Sequence, residues 1–354
     1  MDTPENILDI LREKGAEAAR KAQRGIIVQP GAIGDCILTL PLAAFMKDAL
    51  GLGGVYILGH SEYIGILPGR TCIDGISSID SIELHRLFME TKAFDLKDGD
   101  PLINTFSGYA CIATFLGESN SNFEQNLIFT ATCSHSAEVI TLSMKPPKDY
   151  SGHLTDFYIH QFIKQSDFPL QPRQVNPGDC IIKVSETDMD QGKELLKEAG
   201  LEPDRKIIVI QPGSGGVNKC WHINNFLAIA KTLDSEGISV IFLLGPAELD
   251  RFNSTTIKNI SSVAKYLTDL SMPQVLGLLS CANAFIGNDS GITHLAAALG
   301  IKTLAVFGPT NPTLYRPIGP DVRVFTDNMP TFATKPSPSL QRELLDLLTT
   351  YESL

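Results

Sequence analysis

Phe285-Ile286-Gly287-Asn288-Asp289-Ser290-Gly291-Ile292-Thr293-His294-Leu295 decides the fold class of this chain. The apolar run Ala284 to Ile286 reads as a buried strand, a tight polar turn follows, and Leu295 to Leu299 reads as a helix that Gly300 ends. Thr303 to Phe307 is the next strand. A strand–loop–helix–strand unit of this kind belongs to a parallel α/β sheet. Small residues at the start of the helix leave its first N–H groups bare, and these, with the helix dipole, favour an anion such as phosphate. Asp289, Ser290 and His294 add a carboxylate, a hydroxyl and an imidazole to the same turn. That polarity points to a sugar or nucleotide ligand rather than to phosphate alone.

The alternation runs through the whole second half. Strands are expected at 207–211, 239–244, 264–267, 284–287 and 303–307, with helices near 186–199, 224–235, 247–259, 272–281 and 292–299. This is the pattern of a doubly wound sheet. A final helix, Ser339 to Thr350, has an apolar face of Leu340, Leu344, Leu345, Leu347 and Leu348.

The first half opens in a similar way. After a charged helix from Thr3 to about Gln23, the stretch Ile26-Ile27-Val28-Gln29-Pro30-Gly31-Ala32-Ile33-Gly34-Asp35 is a strand entering a glycine turn, and a helix follows from Ile37. Ile207-Ile208-Val209-Ile210-Gln211-Pro212-Gly213-Ser214-Gly215-Gly216 repeats that opening. Ligands of open parallel sheets bind at the carboxyl edge where such loops lie. Val55 to Gly59 is a second strand, and Ala110 to Ala113 and Asn126 to Phe129 are strand candidates. Leu154 to Ile163 reads as a helix closing the first domain. Ser166 to Asp179, rich in Pro, Gln and Asn, reads as the linker. The expected domains are therefore residues 1–165 and 166–354.

A chain of 354 residues holds two such domains. The formal net charge of −11 argues against a nucleic-acid partner, which needs a basic face, and allows at most peripheral membrane contact. Seven scattered cysteines without a C-x-x-C pair fit reduced thiols in a cytoplasmic protein. No stretch reaches transmembrane length, and the charged opening is no signal peptide.

Five motifs in order resemble glycosyltransferase family 9, the ADP-heptose lipopolysaccharide heptosyltransferases and their relatives. They are Gly34-Asp35-x-x-Leu38-Thr39-Leu40-Pro41, Pro212-Gly213-Ser214-Gly215-Gly216-x-x-Lys219-x-Trp221, Gly245-Pro246-Ala247-Glu248, Gly287-Asn288-Asp289-Ser290-Gly291-x-x-His294-Leu295-Ala296 and Phe307-Gly308-Pro309-Thr310. The resemblance is weakest from Gly69 to Met144. It implies a GT-B fold, two Rossmann-like doubly wound domains facing across a cleft, with the acceptor on the N-terminal side and the nucleotide sugar on the C-terminal side. It also implies that the final helix packs back on the N-terminal domain.

The resemblance assigns roles. Asp35 matches the general base that deprotonates the acceptor hydroxyl; the alternative is an N-cap aspartate. Lys219 matches the lysine that meets the diphosphate and offsets charge on departing ADP; the alternative is a solvated lysine. Ser214 and Gly215 match phosphate contacts. Glu248 matches an acceptor of ribose hydrogen bonds, and its rival role is a first-turn glutamate serving the helix dipole. Asp289 matches a residue holding donor sugar hydroxyls, Ser290 and Gly291 lend N–H groups to the diphosphate, and His294 reaches phosphate or sugar. Trp221 reads as packing, and His222 carries no role. Asp98-Gly99-Asp100 mimics a metal-binding D-x-D but reads as a solvated turn, and Asp188 and Asp190 read as the start of a helix. No metal and no cofactor are expected.

Two departures concern the acceptor. Many relatives carry a basic residue where Gln29 or Pro30 stands, and His60 to Glu124 holds more acidic than basic residues. The function so implied is inverting, metal-independent transfer of a sugar, heptose by resemblance, from an ADP-sugar to a glycan or lipopolysaccharide-type acceptor in the cytoplasm or at the inner face of a membrane. The alternatives are a GT-B nucleotide-sugar epimerase or hydrolase and a nucleotide-sugar-binding protein without turnover. A nicotinamide dehydrogenase is disfavoured because neither glycine loop carries G-x-G-x-x-G.

Overall fold

The computed structural model describes residues 23–202, 205–327 and 329–349. The expected leading helix, Thr3 to Gln23, lies outside the described residues apart from Gln23. The chain forms two compact units, Met1–Asp179 and Cys180–Leu354. The division falls later than the expected 165/166 boundary. Arg173 explains the difference: its guanidinium meets Asp48 and Asp179 at 2.7 Å each, which ties the linker to the first unit.

The first unit is built on five parallel strands, β1 (Arg24–Val28), β2 (Gly54–Gly59), β3 (Gly75–Ser78), β4 (Cys111–Thr114) and β5 (Glu138–Thr141), in the order β3-β2-β1-β4-β5. The direction of winding reverses between β1 and β4, so a crevice is expected at the carboxyl ends of those strands. Asn126 to Phe129 is not a strand. It lies in the helix Asn122–Ala131, which Ser121 caps by accepting from the Glu124 N–H. Phe123, Leu127 and Ala131 recur at helical spacing and enter the core with Ile26, Val28 and Ile112. A short apolar run does not by itself tell strand from helix.

The second unit has six parallel strands, β6 (Ile207–Gln211), β7 (Ser239–Leu244), β8 (Lys265–Thr268), β9 (Ala284–Asn288), β10 (Lys302–Phe307) and β11 (Val322–Thr326), in the order β11-β10-β9-β6-β7-β8. Here the switch lies between β6 and β9. Both are buried along their full length, as central strands covered on both faces must be. Their register pairs Gln211 with Gly287, which brings the loops after β6 and β9 out side by side. The helix expected at 247–259 is two helices, Pro246–Arg251 and Ser254–Val263, because Asn253 caps the second by accepting from the Thr256 N–H at 2.9 Å.

The final helix, Pro338–Thr349, puts Leu340, Leu344 and Leu348 into the core of the second unit, where it packs on the helix Ile223–Ser235. The Lys206 and Lys302 ammonium groups donate to the carbonyls of Leu348 and Leu347, at 2.9 and 2.5 Å, at its carboxyl end. The apolar face that was expected to reach the N-terminal domain is thus spent within the second unit.

Candidate active site

The loops leaving β6 and β9 are stitched together by side chains. Asn288, the last residue of β9, is fully buried; its amide donates to the Pro212 carbonyl at 2.7 Å and accepts from the Trp221 N–H at 2.9 Å. The Ser214 hydroxyl donates to the Asp289 carbonyl at 2.5 Å. The Ser290 hydroxyl donates to the Gln211 carboxamide oxygen at 2.8 Å and caps the helix Gly291–Ala298 by accepting from the Thr293 N–H. The N–H groups of Gly291 and Ile292 have no partner within that helix. They face the end where an anion gains most from the dipole.

Charge collects on the same spot. The Lys219 ammonium meets an oxygen of Asp289 at 2.7 Å, and the His294 Nε2 lies 4.0 Å from the other oxygen. Asp289 and His294 are 7% and 5% exposed, whereas the Lys219 side chain is 38% exposed. The sequence therefore brings Ser214, Lys219, Asp289, Ser290, Gly291 and His294 together at one switch point.

Glu248 stands on the neighbouring helix, at the exit of β7. One carboxylate oxygen accepts from the Gly245 N–H at 2.9 Å, the N-terminal role that competed with ribose binding. The other, Oε1, is buried against the Gly213 backbone and makes no well-formed hydrogen bond among the described residues. A Cβ on Gly213 would lie 1.9 Å from it, so glycine is required for this approach. Oε1 and the Trp221 indole N–H, also without a partner among the described residues, border a cavity of about 290 Å³. Burial pushes the Glu248 carboxyl above its ordinary value of 4.5. The folded protein thus holds this proton more tightly than the unfolded chain, and its stability falls as pH rises from 4.5 through the raised value. Glu248→Gln keeps the bond to Gly245 and removes the buried charge. Its melting temperature is expected to exceed that of the wild type at neutral pH, the gap closing in acid, while ADP binds more weakly. Melting curves that differ by a constant amount at every pH would remove this account.

The sequence gave no role to Arg251, yet its guanidinium donates to the carbonyls of Ser214 and Gly215 at 2.6 and 2.7 Å and fixes the phosphate-loop candidate from below. Its signal was the three-residue spacing from Glu248, which puts both on adjacent positions of one helical turn.

In the first unit Asp35 is not an N-cap. The helix begins at Ile33, Ala32 is the cap, and Asp35 sits in the first turn, half-buried, accepting from the Ala32 N–H at 3.1 Å. A Cβ on Gly31 would meet the Asp35 side chain at 2.6 Å, so glycine admits this fold-back. Gln29 is fully buried, donating to the Thr39 hydroxyl at 2.7 Å and accepting from the Gly31 N–H at 2.9 Å. Its amide shapes the loop from inside and does not reach solvent. The Asp98-Gly99-Asp100 turn is solvated only at Asp98. Asp100 is buried, caps the helix Pro101–Phe106 and takes both ends of the Arg86 guanidinium at 2.9 and 2.8 Å, which holds its carboxyl below the usual range. Among the described residues no three His, Cys, Asp or Glu side chains gather into a metal-binding group.

The family model for glycosyltransferase family 9 (heptosyltransferase) matches residues 139–341, more than half of the chain. The chain belongs to glycosyltransferase family 9. It is similar to lipopolysaccharide heptosyltransferase 3 of Escherichia coli, with 29% identity over 303 residues, 80% of this chain and 83% of the relative. Lipopolysaccharide heptosyltransferase 1 of Pseudomonas aeruginosa is 32% identical over 47% of this chain and 42% of its own length. Among solved structures, Escherichia coli ADP-heptose lipopolysaccharide heptosyltransferase II aligns with a TM-score of 0.68 at 18% identity, covering 94% of this chain and all of the other. An Escherichia coli heptosyltransferase solved with ADP aligns with a TM-score of 0.62 at 16% identity, covering 92% and 99%. The fold is GT-B, and the two switch points described above are those of its two Rossmann-like domains. This family 9 chain is a glycosyltransferase. No helix among its described residues is long and apolar enough to cross a membrane.

Proposed function

We propose that this glycosyltransferase moves heptose from ADP-heptose to a hydroxyl of a glycan or lipopolysaccharide-type acceptor, with inversion at the anomeric carbon and without a metal ion. The donor half of the reading rests on one observation, the convergence of Lys219, Asp289, Ser290 and an open helix N-terminus at the β6/β9 switch point. Solved relatives of the same fold include one with ADP and one with ADP-2-deoxy-2-fluoro heptose. In this reading the Gly291 end of the helix and Lys219 take the diphosphate, Glu248 Oε1 takes a ribose hydroxyl, and Asp289 and His294 face the donor sugar.

The Asp35 carboxylate takes the proton of the acceptor hydroxyl as the oxygen attacks. The new C–O bond forms on the face opposite the departing ADP, and the electron pair of the broken bond leaves with the diphosphate, whose charge Lys219 offsets. The cationic side chain and the helix N-terminus do the work a divalent ion does elsewhere. The same residues predict the test. ADP and ADP-heptose should bind the full chain and raise its melting temperature, by about 2.7 kcal/mol at 100 times the dissociation constant, equally with and without EDTA. Transfer should survive excess EDTA. Turnover lost to EDTA and restored by Mg²⁺ or Mn²⁺ would overturn metal independence, and a product of retained configuration would overturn the single displacement.

A further inference from the structure

The N-terminal domain contains a second cavity, of about 500 Å³, between the exits of β4 and β5. That is ample for a sugar-sized ligand. Phe115 and Leu142 leave these strands through bonds to the strand beside them, Phe115 N–H to Val28 and Leu142 N–H to Thr114, at 2.9 and 2.7 Å. The cavity therefore opens on the same carboxyl edge as the Asp35 loop after β1. With strands spaced about 4.8 Å apart, it lies roughly 7 Å along that edge from β1, within the span of a disaccharide.

Its lining is polar without being cationic. Thr141 is 3% exposed and its hydroxyl has no partner among the described residues, a costly arrangement for a buried hydroxyl unless a ligand completes it. The Gln161 carboxamide accepts from the Ser143 N–H and donates to the Ser143 carbonyl at 3.0 Å each, which fixes the cavity wall and leaves one lone pair and one N–H for another partner. Glu118 and Lys145 contribute one charge of each sign. The adjoining helix N-terminus, which elsewhere invites phosphate, is served by the helix's own Glu124, whose carboxylate accepts from the Asn120 N–H at 2.6 Å. Phosphate recognition calls for clustered cations or an open helix end, and this cavity has neither.

We propose that this cavity is an acceptor subsite for a neutral, unphosphorylated saccharide ring, held through its hydroxyls by Thr141, Glu118 and Gln161. The inference rests on the glycosyltransferase reading above and adds the class of acceptor. The test is a glycan array bearing paired neutral and phosphorylated hexose and heptose di- and trisaccharides, probed with the full chain. Calorimetry on the best neutral ligand then compares wild type, Thr141→Val and Glu118→Ala. ADP-heptose affinity is measured in parallel.

Binding should fall in the neutral set. Each substitution should weaken it roughly five- to tenfold, the worth of one hydrogen bond, with ADP-heptose affinity unchanged. Thr141→Val, which removes a hydroxyl that nothing in the protein bonds, should melt no lower than wild type. Binding confined to phosphorylated glycans, no binding by either set, or neutral binding indifferent to both substitutions would overturn the proposal. The two readings fail separately: a chain that binds neutral glycans through Thr141 and Glu118 but no ADP-sugar keeps the subsite and loses the donor assignment.

Discussion

Asp35→Asn should transfer sugar roughly 10²–10⁴-fold more slowly than the wild type, the usual worth of a positioned base, while binding ADP-heptose with unchanged affinity. The structure sharpens this expectation. Asp35 occupies the first turn rather than the cap, and its only printed side-chain bond is with the Ala32 N–H. An asparagine oxygen can accept that bond, so folding is preserved while the proton acceptor is lost. The base reading therefore predicts a normal melting temperature, normal donor affinity and a slow chemical step, not rescued by more donor. Single-turnover kinetics at saturating donor settle the matter. A rate within about threefold of wild type, far short of the general-base range, would remove Asp35 from the mechanism.

Lys219→Met should lower kcat by roughly 10²–10³, the loss seen when one donor to developing charge is removed. The same change leaves the Asp289 carboxylate without its 2.7 Å partner. Because the Lys219 side chain is 38% exposed, water replaces much of what is lost, and the stability cost should stay near 1 kcal/mol or below. A large kinetic effect with a small thermal one separates charge stabilisation from scaffolding. Lys219→Arg, which keeps the charge, should recover part of the rate. Equal turnover in wild type and Lys219→Met would return Lys219 to the role of a solvated partner of Asp289.

The second domain was legible because its strands are buried on both faces and its helices are set between clear caps and glycines. β6 and β9 read as unbroken apolar runs, and Asp289 to Gly291 follow in a turn that sequence alone marks as an anion site. The first domain was harder for a physical reason. β3 and β5 are four-residue strands at the sheet edges, with exposed or half-buried positions and no alternation to read. Asn126 to Phe129 has the composition of a strand and the spacing of a helix, and only its packing with Phe123 and Ala131 decides. The supporting residues of the site stayed hidden for another reason. Arg251, Asn288 and Gln29 act by bonding loop backbone, and a partner of that kind leaves no pattern of its own in the chain.

The closure of the C-terminal domain by its own final helix makes the molecule modular. Leu340, Leu344 and Leu348 complete the core that begins with β6, and Arg173 fastens the linker to the other domain's Asp48 and Asp179. A junction between Asp179 and Cys180 leaves each of these bonds inside a single parent. Donor and acceptor preferences can therefore be exchanged among relatives as whole cassettes, with no need to transplant a chain terminus along with the domain it does not serve.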